Sequence, residues 1–96
     1  MNHLLFPYLN NAVRMLENGT ASREHIDEAM VGGCNFPMGP LALLDLVGLD
    51  TSVAILDALY EEFGDHHYRV VPLLRRMVSA GHLGRKSGQG FYDYSR

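Results

Sequence analysis

The chain has 96 residues, 47% of them hydrophobic and 20% charged, with a formal net charge of −3 at pH 7. A chain of this length buries about 64% of its extended surface on folding, enough for one modest core. It is too short to hold a nucleotide-binding sheet domain beside a second domain. Cys34 is the single cysteine and no run of apolar residues is long enough to span a bilayer, which excludes an internal disulfide, a multi-cysteine metal site and a membrane span within these residues. Met1-Asn2-His3 lacks the charged region of a signal peptide. A reducing cytoplasm is the expected location, and the sequon Asn18-Gly19-Thr20 is expected to be idle.

In chain order, residues 2–18 carry apolar side chains at helical spacing: Leu5, Leu9, Ala12, Val13 and Leu16. Leu4, Phe6, Tyr8 and Met15 form a second apolar set off that stripe. A helix apolar on two faces needs cover on two sides, and another subunit or domain is the expected source of the extra cover. Pro7 either kinks this helix or marks its first turn, and Gly19 ends it. Ser22 is an N-cap, followed by Glu24, Asp27 and Glu28 at the positive end of a helix that runs to Gly32-Gly33. A loop over 34–39 leads to Pro40, which suits the first position of a short helix ending at Gly48. Asp50 is expected to cap a helix over 51–63, with Val53, Leu56, Leu59, Tyr60 and Phe63 on its apolar stripe and Gly64 at its end. Pro72 opens a last helix over 72–80. Residues 84–90 are too glycine-rich for a helix, and 91–94 read as a short extended aromatic segment. The fold class is all-α: a bundle of about five helices with an extended aromatic tail.

Charge is divided along the chain. Residues 1–68 hold ten acids against Arg14 and Arg23, whereas residues 69–96 hold six basic side chains against Asp93. The basic tail faces the acidic part of its own domain, a phosphate-bearing ligand, or solvent; nucleic acid fits worst, because the whole chain is acidic and no aromatic residue interleaves Arg75 and Arg76. The five histidines lack partners at metal-ligand spacing, and the adjacent His66 and His67 are expected to diverge, so no metal site is expected. Residues 84–88 have the wrong glycine spacing for a phosphate loop. Asp45 is read as a surface or capping residue.

Three stretches carry more information together than singly. They are Asn2-His3-Leu4-Leu5-Phe6-Pro7-Tyr8-Leu9-Asn10-Asn11-Ala12; Phe36-Pro37-Met38-Gly39-Pro40-Leu41-Ala42-Leu43-Leu44-Asp45, continuing into Val47-Gly48-Leu49-Asp50; and Gly84-Arg85-Lys86-Ser87-Gly88-Gln89-Gly90-Phe91-Tyr92. In order and separation they resemble the C-terminal domain of 3-hydroxyacyl-CoA dehydrogenases, particularly the short-chain 3-hydroxybutyryl-CoA branch. The resemblance implies a multihelical domain like the C-terminal domain of 6-phosphogluconate dehydrogenase. It implies that residues 1–96 form a single substrate-binding and dimerisation domain, and that the NAD-binding Rossmann domain lies outside them.

The implied reaction is oxidation of L-3-hydroxyacyl-CoA to 3-ketoacyl-CoA, in fatty-acid or butanoate metabolism. The implied catalytic residue is Asn2, whose carboxamide can donate to the acyl carbonyl or orient a catalytic histidine of the other domain; a helix cap is its plainer role. Phe36, Pro37, Met38 and Gly39 are implied to line the acyl and pantetheine channel, with Met38 adapting to the chain and Gly39 letting a ligand approach the backbone. Lys86 is implied to approach the cofactor, NAD, and a homodimer is implied through the first helix and the 51–63 helix. The domain alone is expected to be inactive and to hold no cofactor. The family usually has arginine where this chain has His3, which cannot supply arginine's permanent fork of donors. The alternative is a non-catalytic dimerisation or interaction module derived from the same domain.

Overall fold

A computed structural model describes residues 2–95. Five helices form in the expected places: α1 (Asn2–Glu17), α2 (Arg23–Glu28), α3 (Pro40–Val47), α4 (Leu49–Phe63) and α5 (Pro72–Ser79). Among the described residues there is no strand. Local chemistry explains most boundaries. Ser22 accepts from the His25 backbone N–H at 3.2 Å and starts α2. Pro40 and Pro72 open α3 and α5, where a missing N–H costs nothing. Gly19 and Gly64, both with positive φ, follow the ends of α1 and α4.

Four details differ from the sequence reading. The chain after α2 does not stay α-helical but widens into a π-helical turn, Ala29–Gly33. The N-cap of α4 is Gly48 rather than Asp50, which sits in the first turn. Pro7 lies inside α1, five positions after its start, so it does not mark the first turn. The glycine-rich stretch, read as free of helix, makes a 3₁₀ turn, Arg85–Ser87, with isolated bridges Gly84–Gln89 and Gln89–Asp93.

α1 is the central element and packs against all four other helices and the 3₁₀ turn His66–Tyr68. That placement answers much of its apolar surplus. Phe6 joins Leu9, Ala12 and Val13 in the core, against Leu41 and Leu44 of α3, Leu49 and Leu56 of α4, and Leu74 of α5. The chain's own helices therefore supply part of the cover expected from another subunit or domain. Leu4, 79% exposed, is left outside it.

Two polar side chains inside this core tie distant segments together. Asn10 is fully buried; its amide donates to the Arg69 carbonyl at 2.7 Å and the His67 carbonyl at 3.3 Å, and its oxygen accepts from the Val71 N–H at 3.1 Å. Asp45, read as a surface or capping residue, is 1% exposed. Its carboxylate accepts from the backbone N–H groups of Phe91 (2.9 Å) and Tyr92 (3.1 Å) and from the Tyr94 hydroxyl (2.7 Å). Buried polar groups of this kind are stable only when paired, so each fixes the position of its partner segment.

Candidate functional site

The first and second motifs meet across an apolar groove of about 550 Å³. Leu4, Leu5 and Tyr8 of α1 form one wall, Phe36, Pro37 and Met38 the other, and Leu43 of α3 the floor. Tyr8 and Phe36 meet edge to face, with ring centroids 5.6 Å apart. The Tyr8 hydroxyl is buried with no hydrogen-bond partner among the described residues. Burial pushes its pKa up, and the charge of Asp27 adds to this. A buried hydroxyl left unpaired costs about 1–3 kcal/mol; the side chains that line the groove are otherwise hydrocarbon or thioether. Concave, mostly apolar sites with few polar groups are the usual form of small-molecule binding sites.

Asn2 begins α1 and is exposed, one turn before Leu5 and Phe6. His3 packs edge-on against Phe63 at the end of α4, ring centroids 5.2 Å apart. At this position the chain therefore places an aromatic contact.

Gly39 lies elsewhere. It is buried, and a Cβ built there would stand 2.3 Å from the Cβ of Asp27. The carboxylate of Asp27 accepts from the backbone N–H groups of Leu41 (2.8 Å) and Ala42 (3.1 Å). It thus caps α3 from a residue thirteen positions before that helix begins. Gly39 gives its open side to this aspartate, and it lines a separate cavity with Val31, Ala42, Tyr92 and Tyr94. The Tyr92 hydroxyl donates to Asp27 at 2.7 Å.

The glycines of the third motif serve the same kind of packing. A Cβ at Gly84 would stand 2.3 Å from the Asp45 carbonyl oxygen, and one at Gly90 would stand 2.1 Å from Asp45 Oδ1. The glycine-rich tail is thus shaped to straddle α3. Lys86 reaches back to Asp50 Oδ1 at 2.6 Å, both side chains about half exposed. The Lys86 ammonium beside Asp50 holds that carboxyl below the usual carboxylate range. Among the described residues, no hydrogen bond or ion pair joins Lys86 to Asn2 or to the 36–39 loop. The structure brings Phe36, Pro37 and Met38 to the groove and leaves Gly39 and Lys86 on other faces. The sequence reading missed Tyr8 as a groove residue and Asn10, Asp27 and Asp45 as organisers.

No helix among the described residues is long and apolar enough to cross a membrane. Asp65, His66 and His67 do come together: their ligand atoms lie within 4.8 Å of one another, and the two rings are tilted 31° with centroids 4.3 Å apart. The divergence expected of adjacent histidines does not occur, because the 3₁₀ turn turns both rings toward Asp65.

Residues 1–94 match the family of 3-hydroxyacyl-CoA dehydrogenase C-terminal domains. The chain is 57% identical over 94 residues to a 3-hydroxybutyryl-CoA dehydrogenase of Mycobacterium tuberculosis, covering 98% of this chain and 33% of that protein. It is 45% identical over 95 residues to the mitochondrial hydroxyacyl-coenzyme A dehydrogenase of Homo sapiens, covering 98% of this chain and 30% of that protein. The crystal structure of (S)-3-hydroxybutyryl-CoA dehydrogenase from Ralstonia eutropha superposes with a TM-score of 0.96 at 53% identity, over 100% of this chain and 34% of that one. The chain thus spans about a third of the length of these relatives. With that match over residues 1–94, the chain belongs to the family of 3-hydroxyacyl-CoA dehydrogenase C-terminal domains.

Proposed function

We propose that this domain is the substrate-side wall of an enzyme that oxidises L-3-hydroxyacyl-CoA to 3-ketoacyl-CoA, and that it turns nothing over alone. The observation that carries this reading is the groove, in which Phe36, Pro37 and Met38 face Leu5 and Tyr8, with the exposed Asn2 one turn before Leu5 on α1. Hydrocarbon walls accept an acyl or pantetheine chain through dispersion and the hydrophobic effect. Met38 adapts to chain shape through its flexible thioether. Asn2 supplies a carboxamide N–H to the carbonyl oxygen that forms as the hydroxyl carbon is oxidised.

NAD is the cofactor that the resemblance implies. The described residues form no strand and hence no strand-to-helix turn to hold a pyrophosphate. Their candidate contact, Lys86, is paired with Asp50. An exposed pair is worth only about 0–1 kcal/mol, so Lys86 can exchange Asp50 for a phosphate offered by a neighbouring domain. NAD is thus held by another part of the complete enzyme, to which this domain adds Asn2, the groove and Lys86. The domain also pairs with a second copy, using the first turn of α1 and the end of α4.

The test is a titration of the 96-residue chain with 3-hydroxybutyryl-CoA followed by NMR, and kinetics of the complete enzyme. Shifts confined to Leu5, Tyr8, Phe36 and Met38 are expected, with no turnover when NAD is added to the chain alone. Asn2→Ala in the complete enzyme is expected to lower kcat about 10²–10³-fold, the usual loss of one such donor. Shifts elsewhere, or turnover by the chain alone, would overturn the reading. The second reading, a non-catalytic assembly module, draws on the exposed Leu4 and on Phe63, which is 52% exposed. An unchanged rate in Asn2→Ala with intact assembly favours it.

A further inference from the structure

We propose that Asp65, His66 and His67 form a binding site for a divalent first-row transition ion, at the turn between α4 and α5. His67 Nδ1 lies 2.8 Å and His66 Nδ1 3.8 Å from Asp65 Oδ1. All three residues offer ligand atoms within 4.8 Å of one another. A tetrahedral ion at its usual bond lengths sets neighbouring ligands ~3.3 Å apart, between the two distances here, so that small rotations of two exposed rings can supply the adjustment. Two imidazole nitrogens and one carboxylate oxygen form a donor set suited to zinc, nickel or copper rather than to calcium or magnesium.

The backbone under the site is held in place. Asp65 accepts from the His67 backbone N–H at 2.9 Å, capping the 3₁₀ turn. Asn10, rigid in the core, grips the His67 and Arg69 carbonyls and the Val71 N–H. The ligands thus start from a fixed turn, and little ordering remains for the ion to impose. The function expected of a bound ion is to staple the end of α4 to the start of α5. This site is independent of the acyl groove and of any enzymatic role.

Calorimetric titration of the 96-residue chain with zinc chloride, repeated with nickel chloride, tests the proposal. One equivalent is expected to bind in the micromolar range and to raise Tm. Nickel is expected to broaden NMR signals around residues 65–68. His66→Gln and His67→Gln, both at exposed positions, are each expected to weaken binding at least about tenfold while leaving the metal-free Tm unchanged. No saturable binding below millimolar metal, wild-type affinity in either variant, or broadening centred on Cys34 or His25 overturns the proposal.

Discussion

Asn10 shows how one polar side chain can carry several distant contacts. Its removal leaves the Val71 N–H and the Arg69 and His67 carbonyls without their partner, in surroundings where water is scarce. Asn10→Ala is therefore expected to lower the unfolding free energy by about 3 kcal/mol, read from urea denaturation; a loss below about 1 kcal/mol would show that water replaces the amide. The sequence carried a signal for this residue. Asn10 stands four positions after Phe6 and three before Val13, on the face that both of them bury. Tyr94 offers a pH test. Burial, then its hydrogen bond to Asp45 and that carboxylate's charge, push its pKa up to about 12 from an ordinary value of 10.0. The fold favours the protonated phenol, so this stabilisation is fully present below pH 10 and is lost as pH rises toward about 12. Tyrosinate absorbance is expected to show Tyr94 ionising together with unfolding over that window. Ionisation of all five tyrosines near 10 in a folded chain would contradict the Asp45 clamp.

At the scale of elements, the helices were legible because punctuation residues bound them. Pro40, Pro72, Gly19 and Gly64 mark real ends, since proline and glycine act through the backbone of their own position. What was illegible came from non-local contacts. Asp27 looks like an ordinary first-turn acid of α2, yet its carboxylate caps α3, because Gly39 lets the two helices approach. Substitution of that glycine separates the two roles. Gly39→Ala puts a methyl group 2.3 Å from the Asp27 Cβ, which forces α2 and α3 apart and strains the cap. A destabilisation of about 1–3 kcal/mol is expected from the overpacking. Gly33→Ala is the control: nothing lies within 4 Å of its Cβ and its φ is not positive. It should leave stability nearly unchanged, or raise it slightly by restricting the unfolded chain. Equal thermal midpoints for the two variants would mean that Asp27 can move aside freely.

At the scale of the whole molecule, the groove could not be read from any one segment. Its walls come from residues 4–8 and 36–43, and only packing places Phe36 against Tyr8. The surplus apolar character of α1 was legible, but its meaning was divided. The chain's own helices enclose Phe6, while Leu4 remains outside. His3 joins the first turn of α1 to Phe63 at the end of α4, so two exposed apolar residues occupy one end of the molecule. Water ordered over such a patch favours association with a like patch on a second copy. If this end forms the proposed dimer, a charge there must break the dimer without touching the core. Leu4→Asp is expected to convert the chain to a monomer in sedimentation at micromolar concentration, with stability changed by no more than about 0.5 kcal/mol, as for other surface positions. A wild-type chain that sediments as a monomer, or a Leu4→Asp chain that remains dimeric, would place the interface elsewhere or remove it.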